Sequence, residues 1–180
     1  LTFGGGASSL WRTANAGAAW ERILSSGVAG VTTLDRVSLP SDYGDQTEIV
    51  YCAGDYGGNP AIWVSRDNGR TFTVRPAVEP DTGAALTIDA WTVAAADTLF
   101  VASYNGTAGK VYRSDNGGFF YASGAAAGSQ PLASLAVTGQ AVAAGSADGE
   151  VFLSRDNGIS FQPAGQGGLP IIPMIYTTPD

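Results

Sequence analysis

The chain alternates between short apolar segments and polar, glycine-rich segments along most of its length. Residues 61–64 and 150–153 are typical apolar segments, and each is followed by a polar turn and then by a segment that opens on an aromatic residue. Apolar segments of about four to eight residues, bounded by glycine and asparagine, are typical of β-strands. Asn-Gly, Asp-Gly and Gly-Gly pairs supply the positive φ that tight turns require. The pattern therefore predicts an all-β protein built from hairpins, with strands that include residues 86–93 and 119–122.

One motif recurs at the turn of four of these hairpins. It consists of a hydroxyl residue, any residue, Asp or Asn, any residue, Gly, two further residues and an aromatic. Residues 65–72 and 154–161 match it almost letter for letter, and residues 13–20 are a weaker copy. Residues 114–120 are interpreted as a copy that is one residue short, because Tyr112 then lies two residues before the hydroxyl, as an aromatic does in the other copies.

We call these segments boxes 1 to 4 in chain order. Each member has a structural role, because the Asp or Asn oxygen accepts hydrogen bonds from the following backbone, the Gly adopts the turn conformation and the aromatic anchors the next strand. The residues assigned to the boxes are Thr13, Asn15, Gly17, Trp20, Ser65, Asp67, Gly69, Phe72, Ser114, Asp115, Gly117, Phe120, Ser154, Asp156, Gly158 and Phe161.

The spacing of the boxes predicts the architecture. Their Asp or Asn residues are separated by 52, 48 and 41 residues, which is the length of one four-stranded sheet of a β-propeller. The chain is therefore predicted to be a propeller, or a segment of one, with about four blades of four antiparallel strands each. The approximate blades are residues 1–27, 28–80, 81–126 and 127–166.

The two ends leave the total number of blades open. Residues 1–3 are interpreted as the end of a second strand, so that blade one lacks its first strand. Residues 167–180 are interpreted as a first strand that either closes blade one or begins a further blade. We expect the chain to be an excerpt of a larger propeller, because residues 39–47 and 173–180 both resemble a loop of secreted bacterial propellers.

The boxes resemble Asp-box repeats, also called BNR repeats. The resemblance covers nearly the whole chain at the level of blades and implies a propeller related to sialidases, sortilin-type receptors, xyloglucan-cleaving hydrolases and photosystem assembly factors. Since these repeats recur in proteins of unrelated activity, the resemblance implies a fold and leaves the function open.

Composition excludes some classes of function. The chain carries 9 basic and 16 acidic residues, for a net charge of −7, and its single lysine and scattered arginines argue against a nucleic-acid partner. It has no histidine, the commonest general base and metal ligand. Cys52 stands alone in an apolar run and is interpreted as a buried hydrophobic residue. No apolar run approaches the roughly 20 residues of a membrane-spanning helix.

An enzymatic function has little support in the sequence. The Arg-Ile-Pro signature of the sialidases is absent, and only four glutamates occur. Asp89 stands in an apolar segment near Trp91 and is the acid most suited to a raised pKa, but a structural role is the simpler interpretation. We therefore expect a non-catalytic module on the cell surface or secreted, in an extracellular layer or assembly. The alternatives are a carbohydrate-active hydrolase with part of its site outside this chain, and an assembly factor for a membrane complex.

Residues that do not repeat from blade to blade are the candidate binding residues. They lie in the loops around residues 42–45, 55–59 and 103–109, and the candidates are Asp42, Asp45, Asp55, Tyr56, Tyr104 and Asn105. The expected partners are proteins or glycans. No cofactor is expected, although Asp42 and Asp45 are close enough in sequence to contribute to a calcium site, which needs six to eight oxygens.

Overall fold

Regular structure throughout the described residues is β-structure. The structure is a computed structural model, and it describes residues 1–4, 7–27 and 30–165. No helix in these ranges is long and apolar enough to cross a membrane. The strands are β1 (Thr2–Gly4), β2 (Ala7–Arg12), β3 (Glu21–Ser25), β4 (Val31–Ser38), β5 (Val50–Tyr56), β6 (Asn59–Ser65), β7 (Thr73–Pro76), β8 (Ala90–Val93), β9 (Leu99–Tyr104), β10 (Gly109–Ser114), β11 (Ala125–Ala126), β12 (Leu132–Thr138), β13 (Ala141–Ser146), β14 (Val151–Ser154) and β15 (Gln162–Gly165).

These strands form four consecutive antiparallel sheets. The first sheet has three strands in the order β1-β2-β3, and the others have four strands each, β4 to β7, β8 to β11 and β12 to β15, hydrogen-bonded in chain order. Such an up-and-down meander is the arrangement of a propeller blade. The fold class is therefore all-β with propeller-type blades, as predicted, and the first sheet has three strands among the described residues. The predicted strand within residues 167–180 lies outside the described residues.

The chain divides into two compact units, Leu1–Ala77 and Val78–Asp180. In the first unit, apolar residues of the first two sheets share one core. Leu10 of β2 packs with Cys52 of β5 and Trp63 of β6, and Ile23 and Phe72 border this cluster. Because successive side chains of a strand point to opposite faces, Leu10 and Arg12 lie on the face toward the second sheet, and Trp11 lies on the opposite face.

The second unit repeats this arrangement with its own two sheets. Phe100 of β9 and Val111 of β10 pack in one core with Phe152 of β14, and Phe161 completes the cluster. Val111 and Arg113 lie on the face toward the fourth sheet, so that Tyr112 lies on the opposite face. Each unit therefore has an aromatic residue two positions before the box of its later sheet, and this aromatic packs on the earlier sheet. The residues are Trp63 and Phe152.

Two strands differ from the prediction. Strand β8 begins at Ala90, whereas the apolar pattern predicts a start at Leu86, because Ile88 has a φ of +46° that is incompatible with extended structure. Strand β11 comprises only Ala125 and Ala126, whereas the sequence predicts a strand over residues 119–122. The second difference arises from the turn of box 3, described below.

Candidate functional site

Each four-stranded sheet has two ends with different chemistry. In the third sheet, one end carries the β8–β9 turn and box 3, and we call it the box end. The other end carries the segment that precedes β8 and the β9–β10 turn, and we call it the loop end. Since all strands are antiparallel, the second and fourth sheets divide in the same way. The boxes and the non-repeating β5–β6 and β9–β10 turns therefore lie at opposite ends of their sheets.

The four boxes share one hydrogen-bond pattern. In box 4, the Ser154 hydroxyl donates to Asp156 Oδ1 over 2.6 Å and accepts from the Gly158 amide over 2.8 Å, and Asp156 accepts from the Ser160 amide over 2.9 Å. Box 2 has the same bonds from Ser65 to Asp67 and from Gly69 to Ser65. Box 1 reproduces them with Thr13, Asn15 and Gly17.

The backbone of the boxes is equally uniform. In every copy two consecutive residues have positive φ. The second is the glycine of the motif, whose φ lies between +79° and +89°. The first is Asn68 in box 2 and Asn157 in box 4, whereas box 1 has Ala16 at +54°. Asparagine tolerates this conformation and alanine resists it. Box 1 is thus the strained copy.

Box 3 has a different register from the one predicted. The Ser114 hydroxyl donates to Asn116 Oδ1 over 2.9 Å, and this oxygen accepts from the amides of Phe119 and Phe120. The glycine that donates to Ser114 is Gly118. The copy therefore has full length, with Asn116, Gly118 and Tyr121 where the prediction placed Asp115, Gly117 and Phe120. Asparagine accepts through its amide oxygen as aspartate does, which allows this register.

The residues displaced by this correction have other environments. Gly117 takes the first positive φ of the turn, at +68°, and its amide donates to the carbonyl of Asp97 over 2.8 Å. Phe120 is 67% exposed, whereas Tyr121 is buried. Asp115 accepts from the Arg113 guanidinium at 2.7 to 2.9 Å. The aspartate of box 3 thus holds an arginine, and the asparagine beside it closes the turn.

Arg113 connects box 3 with box 4. Its Nη1 lies 3.5 Å from the carbonyl oxygen of Asn157, and the side-chain amide of Asn157, oriented with its oxygen toward the arginine, accepts at 2.6 Å. In the first unit, Arg12 likewise donates to the carbonyl of Asn68 and pairs with Glu21. Both arginines precede the hydroxyl of their own box. In each unit, therefore, an arginine from the first of its two sheets holds the boxes of both sheets together.

Hydrogen bonds to the box aspartates favour their ionised form. The Ser154 and Ser160 hydroxyls and the Ser160 amide lower the pKa of Asp156 to about 2. The Thr71 hydroxyl and amide, followed by the Ser65 hydroxyl, lower the pKa of Asp67 below its ordinary range. These carboxylates are stable anions whose donors are all part of the turn, so they are suited to hold the turn and not to exchange protons.

We expect acid to weaken the fold through these carboxylates. Because their folded-state pKa is lowered, their contribution is present above the unfolded pKa of about 4 and is lost as the pH falls toward about 2. Asp156→Asn keeps one acceptor and removes the charge, so its free energy of unfolding should fall less steeply than that of the wild type in this window. Denaturant titrations at a series of pH values measure both slopes.

The reciprocal variant is Asn116→Asp, which places a carboxylate in box 3. It should steepen the acid dependence, because the new carboxylate meets the donors that Asn116 already has. Parallel pH profiles for the wild type and both variants would contradict the role of the box carboxylates.

The candidate binding residues separate into distinct places. Asp42 and Asp45 lie in the β4–β5 loop at the box end of the second sheet, whereas Asp55 and Tyr56 lie at its loop end. Tyr104 and Asn105 lie at the loop end of the third sheet, in the other unit. Strand β5 runs the whole distance between the first two pairs, about 20 Å for its 7 residues. The second sheet therefore does not bring its four candidates together.

The Asp42–Asp45 loop is closed mainly by its own backbone. The Asp42 carbonyl accepts from the amides of Asp45, Gln46 and Thr47, and the Tyr43 hydroxyl donates to Asn68 Oδ1 of box 2. Asp42 Oδ1 is buried without a hydrogen-bond partner. The described residues contain no group of three or more acidic or cysteine side chains that could hold a metal ion. Two carboxylates supply few of the oxygens that calcium requires, and calcium at this loop stays a prediction.

Polar groups converge at the loop end of the third sheet. The Tyr104 amide donates to Asp89 Oδ2 over 2.7 Å and to the Thr87 hydroxyl oxygen over 3.2 Å. The Thr87 amide donates to the Ser103 hydroxyl oxygen over 2.9 Å, and the two hydroxyls are 3.0 Å apart. These bonds fasten the segment before β8 to the end of β9. Asp89 is accordingly a structural acceptor for backbone at this end.

Ile88 is the strained residue of this region. It is 4% exposed and has a φ of +46°, which is rare for a β-branched residue and costs about 1–3 kcal/mol. The conformation lets Ile88 enter the core while Thr87 and Asp89 on either side bond to the end of β9. The sequence shows Asp89 in an apolar segment but gives no sign of this strain.

Asn105 forms the next turn from Tyr104. Its Oδ1 accepts from the amides of Thr107 and Ala108 at 3.0 and 2.9 Å, so that its Nδ2 points away from these turn bonds. Asn105 is exposed and Tyr104 is half-buried. An aromatic ring and an amide are thus presented on a backbone fixed by Thr87, Asp89 and Ser103. We call Asp89, Tyr104 and Asn105 the loop-end site.

A second polar cluster lies in the same unit and was missed by the sequence analysis. Glu79 Oε1 accepts from the Tyr112 hydroxyl over 2.7 Å and from Lys110 Nζ over 3.2 Å, and its Oε2 accepts from Thr82 over 2.7 Å. Lys110 and Tyr112 stand two residues apart on one face of β10, which was the available signal. Their acidic partner lies 31 and 33 residues away in the chain, so spacing alone could not identify it.

The Tyr112–Glu79 pair is not suited to nucleophilic catalysis. Tyr112 is 1% exposed, and burial followed by the Glu79 carboxylate raises its pKa above its ordinary range. Hydrogen bonds from Thr82, Tyr112 and Lys110 lower the pKa of Glu79 to about 2. A neutral buried phenol and a fixed carboxylate cannot readily exchange a proton near neutral pH. The pair fastens the loop that precedes β8 onto β10.

Cys52 has the environment predicted for it. It is fully buried, and burial raises its pKa to about 12. A thiol in this state is not a nucleophile, since the thiolate is the reactive form.

Comparisons with known proteins support no assignment to a family. No family model and no curated protein matches the sequence. Among solved structures, the chain is similar to a GH74 xyloglucanase from Xanthomonas campestris, with 19% sequence identity and a TM-score of 0.46. The match covers 76% of this chain and 24% of that protein, so the chain spans about a quarter of its length. A likeness at this level carries no argument about activity or substrate.

Proposed function

We propose that this chain is a non-catalytic interaction module, secreted or displayed on a cell surface, that binds a partner at the loop-end site. Its boxes are proposed to be Asp-box repeats that serve as turn clasps. The observation that carries the proposal is the fixed backbone at Tyr104 and Asn105, where the tyrosine is half-buried and the asparagine is exposed. Rigid presentation of such groups favours binding, because little conformational freedom is lost on association.

The environments of the acidic groups support a role without catalysis. Hydrolysis of a glycosidic bond generally uses a carboxylic acid that donates a proton and a second carboxylate about 5–9 Å from it. At the loop end of the third sheet, Asp89 is bonded to backbone and Glu79 is held as an anion by three donors. Both carboxylates have structural partners, and Glu79 as an anion does not supply the proton that such a reaction needs.

The partner is proposed to be a neutral glycan chain. A tyrosine ring offers an apolar surface for a sugar ring, and the Asn105 Nδ2 group can donate to sugar hydroxyls. Polar groups at few, fixed positions generally set the orientation of such a ligand. Charge supports the choice of a neutral ligand, since the chain has a net charge of −7 and would repel an anionic polysaccharide.

Binding and hydrolysis should be measured together on the same panel of neutral polysaccharides. We expect the protein to bind a neutral polysaccharide without releasing reducing sugar. Tyr104→Ala should weaken this binding by about tenfold. Asn105→Asp keeps the Oδ1 acceptor that closes the turn and removes the Nδ2 donor, so it should weaken binding with the turn intact.

The control is Phe120→Ala, which removes a more exposed aromatic at the box end and should leave binding unchanged. Release of reducing sugar by the wild type would overturn the non-catalytic role. Retention that both loop-end variants leave intact would overturn the site, and retention only of protein partners would overturn the choice of a glycan.

A further inference from the structure

Four asparagines of the chain are followed directly by glycine, at residues 68–69, 105–106, 116–117 and 157–158. Three of these pairs belong to boxes 2, 3 and 4, and the pair at residues 105–106 lies in the β9–β10 turn. Because glycine has no Cβ, its backbone nitrogen can approach the side-chain amide of the preceding asparagine and close a cyclic imide. The four pairs have the same intrinsic chemistry, so the structure decides which of them can react.

The glycine nitrogens of the boxes are engaged in hydrogen bonds. The Gly69 and Gly158 amides donate to the serine hydroxyls of their boxes over 2.7 and 2.8 Å. The Gly117 amide donates to the carbonyl of Asp97 over 2.8 Å. All three glycines are buried. Such a nitrogen can attack a side chain only after the turn opens and the bond is lost.

The nitrogen of Gly106 has a different environment. Gly106 is exposed, and the residues that the structure describes offer its amide no acceptor. No described atom lies within 4 Å of the position that a Cβ would occupy at Gly106, whereas a Cβ at Gly69 or Gly158 would meet a neighbouring side chain at 2.5 or 2.7 Å. The surroundings of Gly106 are therefore open to the backbone movement that ring closure requires.

The side chain of Asn105 is oriented as the acceptor of such an attack. Its Oδ1 accepts from the amides of Thr107 and Ala108 at 3.0 and 2.9 Å. These donors polarise the Cγ carbonyl and stabilise the negative charge that develops on Oδ1 during attack, as the donors of an oxyanion hole do. The leaving group, Nδ2, points away from these bonds, and Asn105 is exposed to water. Asn116 has two such donors as well, but the nitrogen of its glycine is engaged.

We propose that Asn105 is a site of self-modification by loss of ammonia. The Gly106 nitrogen gives up its proton to solvent and bonds to Asn105 Cγ, while the Cγ–Nδ2 bond breaks and Nδ2 takes up a proton and leaves as ammonia. Water then opens the cyclic imide. Cleavage of the new bond to Cγ leaves aspartate at this position, and cleavage of the bond between the Gly106 nitrogen and the main-chain carbonyl carbon leaves isoaspartate. Water is the only co-reactant.

The modification changes the loop-end site. Either product carries a carboxylate in place of the Nδ2 donor, and isoaspartate also lengthens the main chain of the turn. The site thereby loses its donor to sugar hydroxyls and gains a negative charge. This consequence for binding rests on the proposed function, whereas the reaction itself does not.

Mass spectrometry of the whole chain, incubated in mildly alkaline buffer and then digested, tests the proposal. Digestion after lysine and arginine places the four pairs on separate peptides, and both products gain the mass that replacement of NH2 by OH brings. We expect Asn105 to convert about tenfold or more faster than the box asparagines, because their glycine amides must first leave their hydrogen bonds. In denaturant the four rates should become similar. A box pair that reacts as fast as Asn105 in the folded chain, or a preference for Asn105 that persists in denaturant, would overturn the proposal.

Gly106→Ala tests the attacking nitrogen. The added methyl group lies in open space but crowds the nitrogen, so conversion of Asn105 should slow by about tenfold or more. Gly139→Ala is the matched control, since Gly139 also has a positive φ and open surroundings but lies outside this turn. Conversion at the wild-type rate in Gly106→Ala, or formation of aspartate without isoaspartate, would point to direct hydrolysis and contradict the imide.

The converted protein separates this reaction from the proposed function. Once Asn105 is modified, the chain should bind neutral polysaccharides as weakly as Asn105→Asp does. Complete conversion with undiminished binding would overturn the loop-end site and leave the modification standing. Binding without any conversion at Asn105 would overturn the modification and leave the loop-end site standing.

Discussion

Replacing Gly158 with alanine is expected to lower the free energy of unfolding of the second unit by about 3 kcal/mol or more. Two costs combine at this position. Gly158 has a φ of +83°, which a residue with a Cβ resists. A Cβ would also lie 2.7 Å from Cε1 of the buried Phe100 ring, so the neighbouring sheet would have to move. Denaturant titration followed by circular dichroism measures the loss.

Gly139→Ala is the matched control for this prediction. Gly139 also has a positive φ, of +54°, but no atom lies within 4 Å of the position a Cβ would occupy. Its replacement should cost only the conformational part, about 1 kcal/mol. Equal losses at the two positions would show that the contact between the box glycine and Phe100 does not contribute.

Replacing Trp63 with alanine is expected to destabilise the first unit by about 3–5 kcal/mol. Trp63 is 3% exposed and fills the core between the first and second sheets, beside Leu10 and Cys52. The substitution removes a large buried side chain and leaves a cavity in this core. A loss of this size is a large part of the stability of an ordinary domain, so the variant should show early amide exchange throughout the first unit.

The same substitution at Trp11 provides the comparison. Trp11 lies two residues before the hydroxyl of its box, as Trp63 does, but it is 38% exposed, so Trp11→Ala should cost less than about 1.5 kcal/mol. Equivalent losses for the two tryptophans would contradict the difference in their burial. Retained stability in Trp63→Ala would contradict its role in the shared core.

The fold was predictable because its repeats are local. Each box contains its own donors and acceptors within a few residues, so Ser65, Asp67 and Gly69 are recognisable from spacing alone. The register of box 3 was not recognisable from spacing, because Asp115 and Asn116 are adjacent and both can accept hydrogen bonds. In the structure Arg113 engages Asp115 and reaches the box of the next sheet, and Asn116 accepts the bonds of the turn. A contact 44 residues away in the chain leaves no local sign.

The candidate site was predictable only in part for a related reason. Tyr104 and Asn105 could be chosen because they stand in a turn that does not repeat. The groups that fix them, Thr87 and Asp89, come from a segment whose apolar pattern reads as a strand. The strained φ of Ile88 separates that segment from β8, and strain arises from packing that the sequence does not display.

The arginine clamps also imply a rule of parity for the repeats. Boxes 1 and 3 have arginine before the hydroxyl, with Ala16 and Gly117 at the first positive-φ position. Boxes 2 and 4 have Val64 and Leu153 before the hydroxyl and asparagine at the positive-φ position, where they receive the clamp. Loss of the second sheet would leave Arg12 without the Asn68 carbonyl, and loss of the fourth sheet would leave Arg113 without Asn157. Each arginine contact therefore depends on two consecutive sheets, and we expect removal of both sheets of a unit to disturb the remaining unit less than removal of one sheet.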